Sequence, residues 1–331
     1  MKKIMLFALS VIFAFAMFAG CSEKGTDVVT VRVYAPDGAP AIGMARLIEK
    51  NFGNAEYKIV PPANIGGAVL GGDADIAIMP TNAAASLYKR GADIAMLGIT
   101  NFGSLYLIGN GNGEESLSDL AGKVVYSIGQ GNVPDLVFRY LLKESGIEYR
   151  FASTPQEGVV SLAYVAEGTE LIGGLAAGKM NYGVISEPAA TVALGKVQTA
   201  SRLFDIQALY SSVTGAENGY PQAALVVKKS FYYRKPEYVR DFVREYAASV
   251  AEKWAENNSE QALSAIKSKG STTVAILNSD IVKGCNISFM PSADCKRQVL
   301  DFCAALEAVK EESESPDSST PNDNFFVSVS L

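Results

Sequence analysis

Two acidic residues, Asp37 and Glu187, and two short runs of small or polar residues carry the chemistry that this chain offers. Asp37 lies in Pro36-Asp37-Gly38-Ala39-Pro40, and Glu187 stands between Ser186 and Pro188. A carboxylate in either place can receive an amine or hydroxyl of a ligand. It can equally serve the chain itself, Asp37-Gly38 as a turn and Glu187 by facing the positive end of the helix that Pro188 opens. Pro80-Thr81-Asn82 offers a hydroxyl and an amide, with Thr81 either a ligand contact or the N-cap of a helix starting at Asn82. In Gly129-Gln130-Gly131-Asn132 the paired glycines let backbone amides approach a ligand closely. Val133-Pro134 breaks the G-x-G-x-x-G pattern, so the run is not a dinucleotide fingerprint.

Catalysis has little to work with. The chain contains no histidine, which removes the commonest general acid/base and the commonest metal ligand together. There is no Ser/His/Asp set and no P-loop. Cys285, Cys295 and Cys303 include no CxxC pair for zinc or redox work. A Cys285–Cys295 disulfide is conceivable outside the cytoplasm, but three is an odd number, and buried inert thiols are the better reading. No catalytic residue, metal or cofactor is therefore assigned. The net charge of −6 comes without basic clusters, which makes the chain a poor nucleic-acid binder.

The elements that would position these residues read as strand then helix, repeatedly. Val29 to Tyr34 alternates as a strand, and Ala41, Met44, Ala45 and Ile48 form one apolar helix face. Strands follow at Tyr57 to Val60 and Ile76 to Met79, a helix at Asn82 to Lys89, then strands at Ile94 to Ile99 and Leu105 to Ile108. A second unit runs from the strand Lys123 to Ile128 into a helix with Val133, Leu136, Val137 and Tyr140 on one face. Gly72 to Pro80 echoes Gly178 to Ser186: a Gly, a short turn, and an apolar strand with a small or polar residue at its tip. One α/β lobe built twice explains the echo. Further on come a strand at Ala223 to Val227 and one long helix from Pro236 to about Asn257, with Trp254 as packing. The acidic, Ser/Pro-rich stretch Glu311 to Asn324 leads to Phe325, Phe326 and Val327, which dock on the body. Tyr34, Tyr106 and Tyr126 are either cleft lining or ordinary core.

At the N-terminus, Lys2-Lys3, an apolar run from Ile4 to Ala19, and Gly20-Cys21 describe a secretory signal ending in a lipobox. Residues 1–20 are then the signal peptide, Cys21 the lipidated first residue, and 21–28 a tether. Several acyl chains would hold such a protein stably at a membrane where one would not.

Tyr34 to Pro40, Ala74 to Asn82, Tyr126 to Gly131, Ser186 to Ala190 and Gly219 to Ala223 together resemble the nitrate/sulfonate/taurine and thiamine-precursor group of ABC solute-binding proteins. The resemblance implies the type II periplasmic-binding-protein fold, two α/β lobes joined by two crossover strands near Ser104 to Gly109 and Tyr220 to Val226. Lobe 1 would take 29–109 and 220–331, the latter including the C-terminal tail, and lobe 2 would take 110–219. It further implies a small solute held between the lobes, permease and ATPase subunits as partners, a monomer, and a lipid-anchored extracytoplasmic location. Asp37, Gly38, Ala39, Pro80, Thr81, Asn82, Gly129, Gln130, Gly131, Asn132 and Glu187 are the candidate ligand contacts. They sit at strand C-termini, where ligands of open α/β sheets collect. With Asp37 and Glu187 among them but no Lys or Arg, they point to a neutral or amine-bearing organic solute rather than a small bare anion. An enzyme on the same fold, of pyrimidine-precursor or menaquinone-pathway type, and a tethered ligand sensor are the alternatives.

Overall fold

The computed structural model describes residues 30–110, 114–310 and 320–329. The signal peptide, Cys21 and the tether lie outside them, apart from its neighbour Thr30 onward. Val31–Leu331 is one compact unit. Its strands are β1 (Arg32–Pro36), β2 (Glu56–Val60), β3 (Ile76–Pro80), β4 (Ile94–Phe102), β5 (Leu105–Gly109), β6 (Val124–Ile128), β7 (Tyr149–Phe151), β8 (Val160–Val165), β9 (Tyr182–Ser186), β10 (Ser201–Asp205), β11 (Pro221–Lys228) and β12 (Ile287–Pro291).

They form two six-stranded sheets, ordered β2-β1-β3-β11-β4-β12 and β7-β8-β6-β9-β5-β10. In the first, β1 and β3 are parallel and β11 runs antiparallel to β3. In the second, β6 and β9 are parallel and β5 runs antiparallel to β9. So β3 and β9, the strands in which the two echoing segments end, hold the same place in the two sheets. The chain passes from the first sheet to the second at Gly103–Ser104, so that β5 pairs entirely within the second. It returns as β11 after the helix Ile206–Thr214.

Side-chain alternation places a core on each face of each sheet. From β3, Ile76 and Ile78 join one core with Val33, Leu225 and Phe242, while Ala77 and Met79 join the other with Tyr34, Ala224 and Val299. Every residue of β4 is buried, as a strand covered on both faces should be. The second sheet packs Leu107, Val125 and Val184 on one side and Ile108 and Ile185 on the other. The helix Ser292–Glu307 belongs to both halves of the molecule. Its Cys295, Val299 and Cys303 fill a core of the first sheet, and its Phe302 and Leu306 a core of the second.

One expectation changes, and the preferred reading of the cysteines holds. The long helix from Pro236 ends at Ala251, because Lys253 takes a left-handed conformation at φ 52°, and Trp254–Asn257 is a separate short helix. Its buried stripe is otherwise as the spacing indicates, with Val239, Phe242, Val243 and Tyr246 inside and Trp254 packed against the same core. The Cys285–Cys295 disulfide is not formed. All three described cysteines are free and buried, and burial pushes the thiols of Cys295 and Cys303 up to about 12 and that of Cys285 higher still. Phe325 does dock: it is fully buried, and the Val327 N–H donates to Met96 O at 3.0 Å.

Candidate functional site

The crossing at Gly103–Ser104 gathers the ends of the central strands. Ser104 N–H donates to Gln222 Oε1 at 3.1 Å, and Glu187 N–H donates to Ser104 O at 3.0 Å. Gly103 N–H donates to Tyr220 O at 2.9 Å, and Asn286 Nδ2 donates to Gly103 O at 3.2 Å. Pairing of Ala223 with Pro80 puts Gln222 beside the end of β3, and pairing of Leu105 with Ser186 puts Ser104 beside the end of β9. The two equivalent tips therefore flank the point where the sheets join.

At the β1 tip, Asp37 is buried and its carboxylate is saturated by the chain. Oδ1 accepts from Gly38 N–H at 3.0 Å and Ser271 Oγ at 2.6 Å, and Oδ2 accepts from the N–H groups of Thr272 and Thr273, both at 2.8 Å. Two donors on each oxygen use up a carboxylate's lone pairs. Burial opposes ionisation, but these hydrogen bonds outweigh it and hold the acid below the usual carboxylate range. Gly38, at φ 109°, makes the turn into the helix Ala39–Glu49, which Ala39 opens.

The β6 tip is also filled from within. Gly129 and Gly131 turn the loop at φ 69° and 77°, and Gly131 N–H donates to Asp135 Oδ2 at 2.8 Å. Asp135 further accepts from Tyr164 Oη at 2.8 Å and Arg139 Nη1 at 3.3 Å. Arg139, buried like Asp135, also donates to Val309 O and to Tyr149 Oη. The first-turn position of the helix Val133–Glu144, where an anion would settle, already holds Asp135. Gln130 and Asn132 complete the loop without side-chain capping of that helix.

Glu187 closes the β9 tip. It is 2% exposed; Oε2 accepts from Thr191 N–H at 3.1 Å, and Oε1 accepts from Thr191 Oγ1 at 2.8 Å and from Arg202 Nη2. The carboxylate thus faces the first turn of the helix Ala189–Lys196. Arg202 lies over the Tyr106 ring at 4.5 Å. The stem of Glu187 packs on the helix Ser279–Gly284, so close that a Cβ on Gly284 would lie 3.0 Å from Glu187 Cγ. Arg202 was not legible in the sequence: it sits on β10, a strand with no apolar alternation to reveal its facing. With it, the absence of a cation among the tips no longer holds, and neither Asp37 nor Glu187 stands ready for an amine.

The β3 tip differs. Thr81 is the first residue of the helix Thr81–Lys89, the N-cap position falls on Pro80, and no side chain caps the helix. Thr81 is fully buried and its Oγ1 has no hydrogen-bond partner; neither does the buried Oδ1 of Asn82. Ser104 Oγ at the crossing and Ser127 Oγ near the end of β6 are in the same condition. Leaving one such group unsatisfied costs about 1–3 kcal/mol. Gln207 Oε1 and Tyr220 Oη, whose side chains pack against Gly103, are also without a partner. Of the tyrosines, Tyr34 packs in a core under Lys58, Tyr106 carries Arg202, and Tyr126 borders a core of the second sheet. Two surface hollows, about 490 and 660 Å³, are lined by none of the tip residues.

The strand order and the doubled lobe are those of the type II periplasmic-binding proteins, and the solved structures agree. An ABC transporter protein from Parabacteroides distasonis superposes with a TM-score of 0.73 at 22% identity, over 90% of this chain and 98% of that one. The periplasmic aliphatic sulphonate binding protein of Escherichia coli gives 0.63 at 13%, over 87% and 94%. The alkanesulfonate-binding protein of Xanthomonas axonopodis pv. citri, bound to MOPS, gives 0.59 at 15%, over 85% and 94%. At such identities the likeness establishes the two-lobed α/β fold. No family model and no curated protein matches the chain. Among the described residues no helix is long and apolar enough to cross a membrane.

Proposed function

We propose that this chain is the extracytoplasmic solute-binding component of an ABC importer, anchored by lipid on Cys21, which captures a small organic solute between its lobes and catalyses nothing. Lobe 1 takes 29–103 and 220–331 and lobe 2 takes 104–219, hinged at the crossings, since β5 pairs only within the second sheet. The four tips, 37–39, 80–82, 129–132 and Glu187, wall the site, with the open polar groups of 80–82 touching the solute and the three closed tips shaping the space around it. The monomer closes on its solute and docks on permease and ATPase subunits.

The observation that carries this reading is the set of buried, unpartnered polar atoms where the sheets join: Thr81 Oγ1, Asn82 Oδ1 and Ser104 Oγ. Buried polar groups are normally paired, and a group left without a partner at a strand tip is what a ligand would satisfy. The fold and the sulfonate-binding neighbours support the same role.

Thermal unfolding of the detergent-solubilised chain against sulfonates, nitrate, aminopyrimidines, flavins and amino acids tests it. A solute at a hundredfold excess over Kd stabilises by ~2.7 kcal/mol, enough to raise the midpoint by several degrees. A saturable shift from one compound class supports the proposal. A panel without any shift at millimolar solute overturns it.

A further inference from the structure

We infer that the solute is uncharged, held by the hydroxyl and amide groups of the Pro80–Asn82 tip and of Ser104 and Ser127, with no ionic partner in the protein. The inference rests on the binding-protein function proposed above and adds the class of cargo.

A charged group taken between the lobes needs a counter-charge or full hydrogen bonding, since desolvation of an isolated ion costs far more than a few contacts return. The charged groups around the tips are already engaged. Asp37 has two donors on each oxygen. Asp135 is held by Arg139, Tyr164 and Gly131, and Glu187 by Arg202 and Thr191. An ammonium group therefore finds no open carboxylate oxygen among these acids except the second lone pair of Glu187 Oε2 and of Asp135 Oδ1, both in buried side chains.

An anion fares no better, since the charge of Arg202, the cation among the tips, is already balanced by Glu187, and its Nη2 also donates to Thr191. The uncapped first turn of the helix Thr81–Lys89 would attract one by itself. However, β1 is the direct neighbour of β3, and Asp37, just beyond the end of β1, is a carboxylate held ionised by its hydrogen bonds. The same first turn suits a carbonyl oxygen or a ring nitrogen, which accept hydrogen bonds without a full charge. The unpartnered atoms fit such a molecule: the hydroxyls of Thr81, Ser104 and Ser127 donate or accept, and Asn82 Oδ1 accepts. A polyol, an amide or a hydroxylated heterocycle carries the matching mixture.

Two arms test this. The first needs no ligand. Thr81→Val and Ser104→Ala remove hydroxyls that have no partner, so each variant should melt at or above the parent. A fall beyond about 4 °C would show that the hydroxyl is bonded within the protein and would overturn the inference. The second arm is calorimetric titration with uncharged probes (myo-inositol, nicotinamide, uracil), anionic probes (ethanesulfonate, nitrate) and cationic probes (ethanolamine, choline). Binding of an uncharged probe is expected, with Kd changing less than about twofold between ~20 and ~500 mM NaCl and weakening at least about tenfold in Thr81→Val. An ionic probe that binds with a Kd weakened about tenfold by salt overturns the inference and leaves the binding-protein function standing. Silence from all probes counts against both.

Discussion

The tips of β3 and β9 occupy the same position in the two sheets, and the chain has finished them differently. At β3 a helix begins at Thr81 without a cap, and a buried hydroxyl is left open. At β9 the chain supplies Glu187, folds it onto the next helix and clamps it with Arg202. One topological site thus serves two ends. The first-sheet version keeps its hydrogen-bonding capacity in reserve, whereas the second-sheet version spends it internally and gains a firm face against Gly284. The tips of β1 and β6 follow β9, each closed by a carboxylate of its own. The position in the fold therefore says where a ligand could bind, and the hydrogen-bond ledger says which tip is free to bind it.

The comparison breaks most visibly at the β6 tip. Arg139 and Asp135 are 0% and 1% exposed, so Arg139→Ala leaves an uncompensated buried carboxylate. We expect a loss of about 3–5 kcal/mol in urea unfolding. A loss below about 1 kcal/mol would mean that the tip does not depend on its internal pair.

Asp37 gives a smaller effect with a distinct pH signature. Its folded pKa lies below the unfolded value of about 3.9, so its ionised form stabilises the fold above that value, and the stabilisation fades as pH falls through the folded pKa. Asp37→Asn should melt below the parent from about pH 7 to about pH 5, and the gap should narrow below about pH 4. A gap unchanged down to about pH 2 would remove the assignment of Asp37 as an internally saturated carboxylate.

The smallest effect sharpens the β9 tip. Gly284→Ala improves helix propensity by up to about 1 kcal/mol but drives a methyl into Glu187 Cγ. It should destabilise the parent and stabilise the Glu187→Ala variant, a coupling of about 0.5–1.5 kcal/mol in a double-mutant cycle. Additive effects would show that the two residues do not touch.

Much of the fold was legible because its central strands are short apolar runs between turn signals, and because the segments ending in β3 and β9 share a pattern. Strands β7, β8, β10 and β12 escaped notice; β7 and β10 lack that pattern, whereas β8 is an interior apolar run that the reading passed over. So did the break at Lys253, which interrupts a sequence whose apolar spacing continues past it. At the site, the segments were legible as strand tips, but their states were not. Thr81 reads equally as a cap or a contact, and only the backbone that makes Pro80 the cap position decides against capping. Whether Asp37 is free depends on Ser271, Thr272 and Thr273, more than two hundred residues away along the chain. No local pattern encodes such a pairing.

The helix Ser292–Glu307, wedged between the cores of both sheets, bears on how the chain comes to be folded at all. The first sheet lacks β11 and β12 until residues 221–291 are made, and this helix supplies side chains to both halves later still. Contacts so distant in sequence form slowly. The two halves therefore lock together only once residues 292–307 have been made.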